Sequence, residues 1–401
     1  MRIAYVHGNG FPTVDANVVQ VSQMCSAFAS FGHEVTLFVP RAEKYATDAE
    51  ALAAAPQIFS GQLPFKVHFV PRVRIMGRME LLGSVRSTLS ALKQHPLDLV
   101  YTRNPYTVAF LPSAKLPYVF EVHEVNVHVK NMLLDRYLRS TIVHNSRKSS
   151  CALIVSISEA LSKIWEDFGV PRSKLLSAHD AVDLSMFDIT LTKQEARSRL
   201  SLSLIPYPLS LSPRPIVLYT GSLKPDRGLD LMLAAAKELP EMDFYFVGGK
   251  DEEIAHWKAE AARFKLDNAH FPGRVPHKEI PLWLAAADIL LMMWTWKVPT
   301  IRGCSPMKMF EYMAADRLIV GPAFPTVCEV LESGKDSLLF EPDNLSALVS
   351  SLRDAQTKLT DSAIPAAARA KVASSYTWTA RTKRILDALE LRIPGFRSQE
   401  L

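Results

Sequence analysis

The chain has 401 residues, of which 48% are hydrophobic and 22% charged, with a formal net charge of +5. That length and composition suit two domains of ordinary size with substantial cores. So mild a charge excludes a polycation, and no nucleic-acid partner is implied. Cys25, Cys151, Cys304 and Cys328 are far apart and form no C-x-x-C pair. Their spacing argues against a disulfide framework or a zinc site and for a reducing cytoplasm.

The chain opens on a strand, "RIAYV", with no basic leader before an apolar core, so no signal peptide is expected. "HGNGFPTVDANVVQ" follows, with Gly8 and Gly10 before a helix. Thr13 stands at the third glycine position of a dinucleotide fingerprint, which argues against a Rossmann dehydrogenase. Asn17 either points toward a ligand or caps the helix. The helical spacing of "VVQVSQMCSAFASFG" ends at Gly32, a natural C-cap. "EVTLFV", "LDLVY", "YVFEV" and "ALIVS" read as buried strands, with "SEALSKIWEDFG" helical. Arg103 ends one of these strands. His123 lies just past another, suited to a sugar hydroxyl or else satisfied by backbone.

Within residues 71–93, basic residues alternate with Met, Leu and Ile, either as a solvated helix or as a face resting on anionic lipid. "LAAADILLMMW" is too short to span a bilayer. Residues 189–214 are rich in Ser, Leu and Pro and break the rhythm, which predicts a linker or insertion.

Alternation then restarts: "IVLYT", "GLDLMLAAAKEL", "FYFVG", "DEEIAHWKAEAARFK", "NAHFPG", "IPLWLAAA", "DILLMM", "PMKMFEYMAA" and "RLIVG", before a helical tail. Continuous apolar strands alternating with helices predict parallel sheets covered on both faces. Ligands in such sheets bind beyond the carboxyl ends of the strands.

Two stretches of the second half carry chemistry. "YTGSLKPDRG" joins a strand to a helix; Gly221 allows close backbone approach, and Arg227 can bridge two phosphate oxygens. In "IRGCSPMKMFEYMAADR", Ser305 is placed to cap and Pro306 to open a helix whose free amides suit a diphosphate. Lys308 and Glu311, three residues apart, share one face of that helix. No Asp-x-Asp occurs in the chain. His123 and His128 have the wrong spacing for a zinc pair.

"GSLKPDRGLDLML", "GRVPHKEIPLWLAAADILLMM" and "SPMKMFEYMAADRLIV" together resemble the donor domain of retaining GT-B glycosyltransferases, above all the large family 4. "GHEVTLF", "YVFEVHE", "IVSISEAL" and "HDAVDLSMF" resemble that family's N-terminal domain. The resemblance implies an α/β GT-B fold, with two doubly wound Rossmann-like domains facing across a cleft. The division expected is an acceptor domain over 1–190, a linker over 191–214, a donor domain over 215–375 and a C-terminal helix over 376–401, packing back on the first domain.

It also implies residue roles. Glu311 would hold the nucleotide ribose, and Ser305, Pro306, Met307, Lys308 and Met309 would border the phosphates and sugar. Gly221, Ser222 and Arg227 would flank the diphosphate. Arg274 and Val275 either border the base or belong to a plain surface loop. Gly10 would also border the donor, and Asn17, Arg103 and His123 would serve the acceptor side, with His123, Arg227 and Lys308 in catalysis. Three departures stand out: Gly303 where the family often has a second glutamate, Ser222 where it often has an arginine, and Asp316 where it usually has a glycine. Lys224 is a candidate to replace the missing cation.

The implied activity is a cytoplasmic, metal-independent retaining glycosyltransferase with no cofactor. It would move a hexosyl group from a UDP- or GDP-linked donor to a glycan or lipid-linked acceptor, in surface polysaccharide or glycolipid synthesis. The alternatives are a nucleotide-sugar epimerase on the same fold and a catalytically silent binding subunit.

Overall fold

Alternate residues of a strand face opposite sides of a sheet. In "IVLYTG", Val217 and Tyr219 enter one buried apolar cluster while Ile216 and Leu218 enter another. A strand apolar on both faces needs helices on both faces, which is the condition for parallel sheets. The computed structural model describes residues 1–59, 61–71, 79–114, 116–126, 131–188, 191–202 and 214–393.

Strands β1 Arg2–Val6, β2 Glu34–Val39, β3 Lys66–Phe69, β4 Leu99–Thr102, β5 Tyr118–Val122, β6 Cys151–Ser156 and β7 Leu175–Ser177 form one parallel sheet, in the order β3-β2-β1-β4-β5-β6-β7. A second parallel sheet holds β8 Ile216–Gly221, β9 Asp243–Gly248, β10 Ala269–Gly273, β11 Ile289–Leu291, β12 Leu318–Pro322 and β13 Leu338–Phe340, ordered β10-β9-β8-β11-β12-β13. Strand order reverses beside β1 in the first sheet and beside β8 in the second. The loops after those strands are where doubly wound sheets bind ligands.

The chain divides into two compact units, one of Met1–Asp180 with Trp378–Leu401 and one of Ala181–Thr377. The first is cored by Val100, Tyr118, Phe120, Ile154 and Trp165, among others. Burying each such side chain is worth ~1.5–3 kcal/mol relative to exposure. The helix Trp378–Glu390 packs on the helix Ala16–Ser30 within that unit.

The edge strands β3, β7 and β13 were not expected from the sequence. They are three or four residues long, too short to show a pattern. Within the expected linker a helix forms, Lys193–Arg199, opened by a Thr192–Glu195 capping box. Its Lys193 Nζ lies 2.6 Å from Asp288 Oδ1 and its Arg197 also pairs with that carboxylate. Burial would raise the Asp288 pKa, but these partners hold it lowered. Arg72, Arg74 and Arg78 of the basic stretch, and His128, lie outside the described residues. Among the described residues no helix is long and apolar enough to cross a membrane.

Candidate functional site

In the second unit the loop after β8 and the helix Met307–Ala314 build a polar cluster. Gly221 ends β8 with φ +136°, and a Cβ there would stand 2.6 Å from Lys308 Nζ. Gly248, its partner on β9, comes closer still: a Cβ would lie 2.1 Å from the Gly221 carbonyl oxygen. The Gly248 contact is with backbone and admits only glycine, whereas at Gly221 a side chain would have to displace the lysine. Lys308 donates to the Thr220 carbonyl at 2.5 Å, and its ammonium stands 4.1 Å from the Tyr219 ring centroid and 5.3 Å from that of Trp294. Burial, and then repulsion from Arg227, lower its pKa to about 7 against a smaller opposing pull from Glu311. The lysine therefore stands poised between charged and neutral forms.

Arg227 closes the same loop, its side chain one-quarter exposed and its Nε 3.6 Å from Asp226 Oδ1. Gly228 follows in the left-handed conformation and starts the helix Leu229–Glu238 with no side-chain cap. Thr295 Oγ1, just past β11, fixes this loop by donating to the Asp226 carbonyl at 2.9 Å. Lys224 is exposed. The ammonium beside Gly221 is that of Lys308, brought there by the helix.

The helix Met307–Ala314 begins differently from expectation. Pro306 is its N-cap, extended at ψ 124°, with no side-chain cap hydrogen bond, so Ser305 precedes the cap and does not supply it. Proline's fixed φ suits the cap position as well as the first turn. Ser305 is buried, and Met309 is fully buried in the apolar core, which leaves only its backbone for any ligand. Met307 is half-buried. Ser222 gives its carbonyl to Tyr219 OH at 2.8 Å. Gly303 adds no side chain at the position of the family's second glutamate.

Glu311, with a side chain only 14% exposed, accepts from His277 Nε2 at 3.0 Å. That bond raises the His277 pKa against the effect of burial. His277 was not singled out in the sequence, although it stands in the quoted loop. Of the two residues expected there, Arg274 is exposed and Val275 packs on the apolar core. Asp316 takes φ +54° just after this helix, the conformation glycine would favour.

In the first unit the candidates gather at the carboxyl ends of β1, β4 and β5. His123 Nε2 lies 2.6 Å from Glu121 Oε1, and Gln20 Nε2 donates to the same oxygen at 2.7 Å. Arg103 donates to Gln20 Oε1 at 2.5 Å and to the Asn17 carbonyl at 3.2 Å. Asn17 does not cap its helix. Asp15 holds the cap position, and Asn17 Oδ1 is buried with no hydrogen-bond partner among the described residues. Gly10 is explained by packing: a Cβ would stand 2.8 Å from Ala42 Cα. His7, also missed, follows β1 and is buried, with Nε2 unpartnered among the described residues; burial and the Arg103 charge lower its pKa to about 3. Burial and Arg103 lower the His123 pKa as well, so this imidazole is neutral near pH 7. Among the described residues no group of three His, Cys, Asp or Glu is placed to hold a metal ion.

Two family models match, one on each half of the chain. Residues 18–186 match Glycosyltransferase Family 4, and residues 214–357 match Glycosyl transferases group 1. The chain belongs to glycosyltransferase family 4. The putative teichuronic acid biosynthesis glycosyltransferase TuaH of Bacillus subtilis is 25% identical over 114 residues, a stretch covering 28% of each chain. Among solved structures, a glycosyltransferase from Rickettsia africae superposes with a TM-score of 0.75 at 16% identity, over 98% of this chain and 99% of that one. HepE of Anabaena, in complex with UDP-glucose, gives 0.71 at 16% identity over 98% and 100%. Such likenesses establish the GT-B fold. The two parallel sheets of this family 4 glycosyltransferase are those of the GT-B class.

Proposed function

We propose that this family 4 enzyme transfers a hexosyl group from a nucleotide-diphosphate sugar to an acceptor hydroxyl, with retained configuration. The observation that carries the proposal is the placement of the Lys308 ammonium beside Gly221 at the end of β8, with Arg227 in the same loop and Glu311 one helical turn onward. Two cations and the start of a helix suit a leaving diphosphate. A carboxylate beyond them suits vicinal ribose hydroxyls. On this reading Arg227 and Lys308 take the charge that grows on the leaving group, with no metal ion required. The leaving phosphate then helps to deprotonate the acceptor on the same face of the sugar.

His123 presents its ring to the reacting sugar, and Asn17 and Arg103 serve the acceptor side. The donor is UDP- or GDP-linked; the UDP-glucose held by HepE supports a uridine donor. The acceptor is a glycan or a lipid-linked glycan in surface polysaccharide or glycolipid synthesis, a reading supported by TuaH. The enzyme works in the cytoplasm, with or without peripheral contact with anionic lipid.

Purified protein mixed with UDP- and GDP-sugars, with and without glycan acceptors, tests this by release of free diphosphate. Release that needs acceptor and survives EDTA is the expected result. Gly303 and Ser222 favour a second reading, a silent binding subunit. Tight nucleotide binding without turnover across a broad acceptor set would establish that instead, and interconversion of the donor itself would establish an epimerase.

A further inference from the structure

Glu121 lies in the middle of an apolar strand, "YVFEV", and its side chain is fully buried. A carboxylate so placed carries a large desolvation cost, which only an opposite charge and a full set of hydrogen bonds offset. Both its oxygens are doubly engaged. Oε1 accepts from Gln20 and His123; Oε2 accepts from the Tyr101 hydroxyl and from Arg381 Nη1 at 3.2 Å. Arg381 comes from the helix Trp378–Glu390, at the far end of the sequence, and its side chain is 1% exposed. Its Nε donates to the His179 carbonyl at 2.9 Å, which fixes the plane of the guanidinium.

We propose that Arg381 is a positioning residue for the transfer, acting through Glu121 to fix which ring nitrogen of His123 carries the hydrogen. The nitrogen facing an ionised carboxylate is the protonated one, so Nε2–H is donated to Glu121 and Nδ1 is the ring atom left to meet a hydroxyl. Burial would raise the Glu121 pKa. The charge of Arg381, with help from the His123 bond, outweighs that and keeps the carboxyl well below its usual range. Without Arg381 the carboxyl takes up a proton from solvent. A protonated Glu121 donates, His123 Nε2 must then accept, and the imidazole hydrogen moves to Nδ1. Arg103, Asp180 and His7 also act electrostatically near this ring, but Arg381 is the cation bonded to Glu121.

The proposal rests on the reading of His123 as a residue at the reacting sugar, and the test separates the two. Full-length protein labelled with 15N-histidine is compared as wild type, Arg381→Met and Arg381→Lys by ring-nitrogen chemical shifts. The wild type should show the Nε2–H tautomer and Arg381→Met the Nδ1–H form, with Arg381→Lys retaining the wild-type signature. In transfer assays Arg381→Met should lose kcat ~10²-fold while donor KM stays within about twofold, and Arg381→Lys should recover most of it. Should the methionine variant not fold, Arg381→Gln carries the same comparison. A wild-type tautomer in the neutral variants overturns the positioning role, whatever the activity. A changed tautomer with unchanged kcat overturns the role in transfer, and with it the place of His123.

Discussion

Lys308 Nζ stands 2.6 Å from the point where a Cβ on Gly221 would lie. The two residues are far apart in sequence, yet the glycine leaves the space that the ammonium fills. Ser222 follows that glycine, at a position where the resembling family often carries an arginine. The helix thus brings a charge to the end of β8, beside that of Arg227 in the loop.

Gly221→Ala should therefore act on the lysine. The clash is with the free end of a flexible side chain, which can swing away, while φ +136° costs the alanine ~1–2 kcal/mol. Folding should survive with a modest loss in melting temperature, and UDP or GDP affinity should fall about tenfold or more. Calorimetry that finds undiminished affinity would remove Lys308 from the diphosphate site.

Lys308→Met should trade binding for stability. The folded protein holds this lysine at a pKa of about 7, below its ordinary 10.5. Folding thus favours the neutral amine, and stability from this group rises with pH between those two values. Methionine removes the penalty, so the variant should be more stable at pH 6 by about 1 kcal/mol or more, while nucleoside diphosphate binds at least tenfold more weakly. In the wild type, diphosphate binding near pH 7–8 should take up a proton. Titration calorimetry in buffers of different ionisation enthalpy reads that uptake, and its absence would contradict the pairing.

Glu311→Ala should weaken donor use by about 10–100-fold, a loss of ~1.5–3 kcal/mol for hydrogen bonds to a charged group. It also frees His277, whose raised pKa comes from the Glu311 bond. The stability this bond adds is present below the ordinary histidine pKa of 6.5 and is lost as pH rises through the higher folded value. In the variant the His277 titration, followed by NMR, should move to lower pH. Arg227→Ala should weaken donor use as severely, but leave the His277 titration where it is. Normal donor kinetics in both variants would dismantle the assignment.

Asp316→Gly should stabilise the protein. Asp316 adopts φ +54° at the end of its helix, which glycine tolerates without steric cost. A gain of about 0.5–1 kcal/mol in denaturant unfolding is expected, with donor kinetics unchanged.

Much of the fold was legible because long apolar strands and helix periodicity carry it; the central strands of both sheets stand where "RIAYV", "YVFEV" and "IVLYT" placed them. The edge strands were not, since "LLS" and "LLF" are too short to differ from loop. At the site, Lys308 and Glu311 were visible as charges inside an apolar helix. The bond between Glu311 and His277 joins loop to helix and has no local signature. Ser305 misled because a serine before a proline normally caps, whereas here the proline itself takes that place. Glu121 was a charge in an apolar strand that went unremarked. Its counter-charge, Arg381, is separated from it by the whole second unit, and no spacing rule reaches that far.

The helix that supplies Arg381 also orders events during synthesis. The first unit emerges from the ribosome with its strands complete and with Gln20, Tyr101 and His123 at hand for the Glu121 carboxylate, but without its guanidinium partner. The neutralising guanidinium arrives only after nearly two hundred further residues, Ala181–Thr377, have been made. The half of the protein translated first is thus the half finished last, and nascent chains halted before residue 381 hold a histidine that has not yet been set.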